Sequence, residues 1–145
     1  IVNGSEKVLI AQEKAANNRV YIFQKAQPNL TYYAEIRSAP QQSARPPSNL
    51  VITMNYTSKK TNKDQVTLHA KIPYVRKEIP IFILFKALDN TLGHREIINI
   101  TCYDMDDSQM INFLRPSLIQ ASEIKNQEEA LDYIGRGVAS SIESR

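Results

Sequence analysis

Hydrophobic and polar positions alternate through the first half of the chain and change period in the second. Ile1 and Val2 lead into Asn3-Gly4, a tight-turn pair. Lys7–Gln12, with Val8, Leu9 and Ile10, predicts a mostly buried strand. After a turn at Asn17-Asn18, Arg19–Lys25 sets Val20, Ile22 and Gln24 on one side and Tyr21, Phe23 and Lys25 on the other. Thr31–Arg37 sets Tyr33, Glu35 and Arg37 against Tyr32, Ala34 and Ile36, and the two runs predict an antiparallel hairpin broken at Gln27-Pro28-Asn29. Pro40–Asn49, which contains Pro40, Pro46 and Pro47, predicts a loop. Leu50–Tyr56 and Gln65–Ile72 predict a second strand pair, with Thr57–Asp64 as a polar surface tip.

From Pro80 to Leu88 the chain is apolar on every side except at Lys86, which fits either a buried strand or a buried helix begun by Pro80. Arg95–Cys102 places Ile97, Ile98, Thr101 and Cys102 on one helical face. Asp106 or Asp107 caps a helix over Ser108–Leu114, and Pro116 predicts a break or the start of a new turn. Asn126 to Glu129 has the capping-box pattern ahead of Ala130, Leu131 and Ile134, and Gly135 stands where that helix would end. The order predicts an α+β fold, with an antiparallel sheet in the first half and helices in the second.

A length of 145 residues suits one domain, and 42% apolar with 23% charged residues is a globular balance. No apolar run is long enough to span a membrane. Cys102 is the only cysteine, so no intrachain disulfide can form and a reducing compartment is expected. Asn-x-Ser/Thr triplets begin at Asn3, Asn29, Asn55 and Asn99; in a chain this rich in Asn, Ser and Thr they read as coincidence.

Candidate chemistry is sparse. Asp104, Asp106 and Asp107 could offer oxygen ligands to a divalent cation, as in a free-standing metal-dependent enzyme, but their place before a helix favours capping. His94, Glu96 and Cys102 imitate a nucleophile set, yet Cys102 falls on the apolar face, where a lone cysteine packs. His69 is a single imidazole in a predicted strand, a structural placement. CxxC, HExxH, GxGxxG and P-loop patterns are absent. Lys59, Lys60 and Lys63 in the polar tip, with Arg76, Lys77 and Arg136, could meet phosphates or face water. No aromatic residues interleave with the tip lysines as single-strand binding would require. The residues predict a domain without a self-contained active site.

Five stretches carry a resemblance: NGSEKVLIAQE (Asn3 to Glu13), AEIRSA (Ala34 to Ala39), IPYVRKEIPIFILFKALD (Ile72 to Asp89), CYDMDDSQM (Cys102 to Met110) and EALDYIGR (Glu129 to Arg136). In this order and spacing they resemble the second-largest subunit of eukaryotic DNA-directed RNA polymerase, of the RNA polymerase II type. The resemblance implies a fragment of a far longer subunit. Residues 1–16 would be the end of the protrusion domain, and 17–145 a lobe domain truncated at its C-terminus. A lobe lines the downstream side of the DNA cleft. It contacts downstream DNA and serves as a docking platform for other polymerase II subunits (the largest subunit and a small zinc-ribbon subunit) and for initiation factor TFIIF.

The family also implies a nuclear location, no membrane, and nucleotidyltransferase activity in the whole enzyme only. No cofactor is expected in this fragment, since magnesium and zinc are held elsewhere, and no catalytic residue. By position, Lys7 and Gln12 would face nucleic acid, and Lys7, where the bacterial counterpart has Arg, keeps the charge without the bidentate geometry. Lys59, Lys60 and Lys63 are further nucleic-acid-proximal candidates. The family usually has two basic residues between the glycines where this chain has only Arg136 between Gly135 and Gly137. The competing expectation is an independent protein-interaction module that shares the fold. If Ile1–Glu13 belongs to a neighbouring sheet, Val8 and Ile10 should stay outside a core built on Val20, Ile36 and Phe82.

Overall fold

A computed structural model describes residues 1–26, 31–57 and 65–142. Strands β1 (Val20–Lys25), β2 (Thr31–Ser38), β3 (Ser48–Thr57), β4 (Gln65–Lys71) and β5 (Ile79–Pro80) are followed by helices α1 (Ile81–Leu88), α2 (His94–Thr101), α3 (Ser108–Gln120) and α4 (Gln127–Ile142). The sheet is antiparallel, and its spatial order β1-β2-β3-β4-β5 is the chain order. The α+β expectation and both strand pairs are therefore met. Asn18, at φ 60°, fastens the β1–β2 hairpin: its side chain exchanges two 2.9 Å hydrogen bonds with the backbone of Ala39.

The register aligns one row across all five strands: Ile22, Ala34, Ile52, Ala70 and Ile79. Large and small side chains alternate along it on a single face. Helix α1 supplies Ile81, Phe82 and Ile83 to the core on that face, with Ile97 of α2, Leu114 of α3 and Ala130 of α4. The stretch Pro80–Leu88 resolves into both of its alternatives. Ile79-Pro80 closes the sheet, and Pro80 caps α1 from an extended conformation (ψ 134°), one place earlier than a first-turn proline.

Helix starts follow local chemistry. Asp107 Oδ1 accepts the backbone N–H groups of Gln109 (3.0 Å) and Met110 (3.1 Å). Asn126 Oδ1 accepts the N–H of Glu129 at 2.8 Å, and the Glu129 carboxylate reaches back to the N–H of Lys125 at 2.8 Å.

Three local expectations are overturned. Lys7–Gln12 forms no strand; only Val2 and Ser5 bridge, around Asn3 and Gly4 at φ 52° and 77°. A strand needs a ladder partner, and among the described residues none is offered to this stretch. Val8 and Ile10 are exposed, as expected for a stretch that packs outside this core, although Val20 proves not to be core either. Helix α3 runs through Pro116 to Gln120. The proline removes one i→i−4 bond at exposed Asn112, while Leu114 and Ser117 are buried on either side of it and hold the turn. Helix α4 runs through Gly135 to Ile142, because Gly137 is buried against Val75: a Cβ built there would lie 3.5 Å from Val75 Cγ1. Packing at Gly137 outweighs the weak propensity of both glycines.

Candidate nucleic-acid interface

Side chains that alternate away from the helices form the other face of the sheet: Tyr21, Phe23 and Lys25 of β1, Tyr33, Glu35 and Arg37 of β2, Thr53 and Asn55 of β3, and His69 and Lys71 of β4. Continuing the alternation one place ahead of β1 adds exposed Arg19. The rings of Tyr21, Phe23 and Tyr33 lie together. Phe23 is 6.4 Å from Tyr21 along the strand and 5.3 Å from Tyr33 directly across it, both near-parallel. Around them stand Arg19, Lys25, Arg37 and Lys71, with Glu35 3.9 Å from Arg37 and Glu78 3.0 Å from Lys71. Among the described residues, four cations against two carboxylates leave this face basic.

A polar chain ties the face to the helices. Asn55 Nδ2 donates to Glu78 Oε2 at 2.8 Å and meets His69 Nδ1 at 3.2 Å. The other ring nitrogen of His69 lies 3.1 Å from the side-chain amide of Gln120, at the end of α3. A neutral imidazole has one donor and one acceptor nitrogen, and an amide can turn to match either. Burial lowers the His69 pKa, only partly countered by the charge of Glu78. Burial pushes Glu78 upward, but the hydrogen bonds from Asn55 and Lys71 and the charges of Lys71 and His69 outweigh it, so its pKa is lowered. His94, whose Nε2 is buried without a hydrogen-bond partner among the described residues, is lowered by burial and by the charge of Lys86.

These shifts fix the sign of the pH dependence. Both histidines bind protons more weakly folded than unfolded, so stability falls as pH drops below their ordinary value of 6.5. Glu78 adds a further loss below its ordinary 4.5. The melting temperature of the chain should therefore fall between pH 7.5 and pH 5.5, as read by circular dichroism. Replacing both histidines, His69→Gln with His94→Gln, should flatten that slope. An equally steep slope in the double variant would assign it to other groups.

The remaining candidates are dispersed. Lys7 and Gln12 are exposed in the stretch without regular structure. Lys59, Lys60 and Lys63 lie outside the described residues. Arg136 pairs with Asp132 on α4 at 2.6 Å. Asp104 Oδ1 accepts the N–H of Asp106 at 2.9 Å, and Asp107 caps α3; among the described residues no three His, Cys, Asp or Glu side chains converge as metal ligands. Cys102 is buried at the end of α2. Sequence reasoning missed Tyr21, Phe23, Tyr33, Lys25, Arg37 and Lys71 as one cluster. Their signal was the period-two alternation, which had already sorted Tyr21, Phe23 and Lys25, and Tyr33 and Arg37, onto single faces.

The family model described as RNA polymerase Rpb2, domain 2, matches residues 16–144. DNA-directed RNA polymerase II subunit 2 of Arabidopsis thaliana is 47% identical over 138 residues, covering 94% of this chain and 12% of the relative. The DNA-directed RNA polymerase II subunit RPB2 of Encephalitozoon cuniculi is 43% identical over 137 residues, covering 94% of this chain and 11% of its own length. The DNA-directed RNA polymerase subunit Rpo2 of Saccharolobus solfataricus is 39% identical over 140 residues, covering 96% of this chain and 11% of its own length. The chain thus spans only 11–12% of the length of these relatives.

Proposed function

The chain belongs to the family of RNA polymerase Rpb2, domain 2, and on that premise we propose that it is the non-catalytic lobe domain of the second-largest subunit of a nuclear RNA polymerase II. In this reading it lines the downstream side of the DNA cleft and offers docking ground to the largest subunit, a small zinc-ribbon subunit and initiation factor TFIIF. The observation that carries it is the family match over residues 16–144. Nucleotide addition then belongs to the assembled enzyme, whose magnesium and zinc are bound by other parts.

The basic sheet face suits such a wall. Arg19, Lys25, Arg37 and Lys71 supply positive charge without base-reading geometry, which is what contact with a passing duplex demands. Lys7 and Gln12, in the segment ahead of the domain, are the residues this reading places nearest the RNA–DNA hybrid. Lys59, Lys60 and Lys63 would add to the cation supply.

The test is binding of a fluorescent duplex by the 145-residue chain at graded salt. Weak binding that falls steeply with salt is expected, because one wall of a cleft makes few contacts. Replacing Lys25 and Arg37 by Gln should lower the affinity further and flatten the salt slope by about 0.9 for each phosphate no longer neutralised. Tight, salt-insensitive binding, or binding unchanged in the variant, would refute the assignment of this face to DNA.

A further inference from the structure

The row Ile22, Ala34, Ile52, Ala70 and Ile79 is a single apolar stripe, but its cover is one-sided. Ile79 is 1% exposed and Ala70 0%, beneath the helices; Ile52 and Ala34 are half-buried; Ile22 is 73% exposed. The neighbouring row repeats the gradient: Leu50 packs on the core, Ile36 is half-buried and Val20 is 64% exposed. Tyr32 is exposed beside them. The helical layer therefore stops over β3, while the apolar stripe continues to β1. The bare half, made of Val20, Ile22, Gln24, Tyr32, Ala34 and Ile36, carries no charge, which disfavours nucleic acid and any strongly charged partner. A contiguous apolar patch of this kind marks an interface.

We propose that this face of β1–β2 is the seat of an amphipathic helix supplied by the same polypeptide outside residues 1–145. Three observations select that occupant. The stripe is continuous with one that α1 already covers, so a helix laid alongside continues an existing layer. The patch has no charges, so its partner presents an uncharged apolar stripe. The matched segment is only 11–12% of the relatives' length, so the relatives carry ample further chain to provide it. The inference rests on the reading of the chain as one domain of the second-largest subunit.

The experiment is maleimide labelling of Ile22→Cys, with Val20→Cys as a second probe, read at each position by peptide mass spectrometry. Both sites are exposed in the 145-residue chain, so the substitutions leave its packing intact, and the native Cys102 is buried. Labelling should be fast in the 145-residue chain and at least about tenfold slower in the complete, unassembled subunit. Lys25→Cys on the opposite face should label at one rate in both.

Equal labelling at position 22 in both forms would overturn the inference. So would protection that arises only when other subunits join, which would give the face to one of them. Protection that grows with concentration of the 145-residue chain, with a dimer in sedimentation, would give it to a second copy and overturn it too. The function reading fails separately, if the complete subunit does not enter the polymerase at all.

Discussion

Phe82→Ala is expected to lower the stability of the chain by about 3–5 kcal/mol, the usual loss for deleting a buried phenyl ring. Phe82 is the second residue of α1, 1% exposed, and its ring meets the His94 ring edge-on at 6.5 Å. It joins α1 to α2 inside the one core that all four helices share with the sheet. A single domain is held by about 5–15 kcal/mol, so the loss would take much of the total. Urea unfolding measures it. Leu88→Ala, on the same helix but 71% exposed, should change stability by less than about 0.5 kcal/mol. A Phe82→Ala loss no larger than that of Leu88→Ala would mean that α1 is not the centre of the core.

The second large effect is expected at Ser117. This residue is fully buried on α3, and its Oγ accepts the N–H of Leu68 at 3.0 Å. Leu68 lies in β4 just before His69 and Ala70, the residues that pair with the two-residue β5. Where β5 stops, the β4 edge would have an open amide, and Ser117 takes it. Ser117→Ala leaves that amide buried without a partner, which costs about 1–3 kcal/mol. Hydrogen exchange at the Leu68 amide should accelerate by more than the global loss of stability accounts for. An unchanged exchange rate would show that another group or a water serves the same amide.

What could be read from the sequence was what the sequence holds locally. Asp107 and the Asn126–Glu129 pair cap helices through atoms four residues apart or fewer, and the hairpin over Val20 to Ser38 follows from alternation around a break. The failures share one cause. Lys7–Gln12 alternates like a strand but has no partner among the described residues, and partners are not written into a strand. Pro116 and Gly135 are breakers by propensity, overridden by the burial of Leu114 in the core, of Ser117 against Leu68 of β4 and of Gly137 against Val75. For the candidate site, the alternation sorts Tyr21, Phe23 and Lys25 onto one face, but periodicity within a strand does not say which residues of another strand lie beside them. The network of Glu78, Asn55, His69 and Gln120 draws on residues up to 65 apart in sequence, numbers 55 to 120, and only the folded chain brings them together.

The strand order has a consequence for how the molecule is made. Because each strand lies beside the one that precedes it in the chain, every ladder closes only a short loop, and the entropy lost at each step is small. The sheet can grow strand by strand as the polypeptide is synthesised. The core, however, waits for α1 to α4, since β1 and β2 bury little by themselves. Assembly of this chain is thus sequential in its hydrogen bonds and late in its packing.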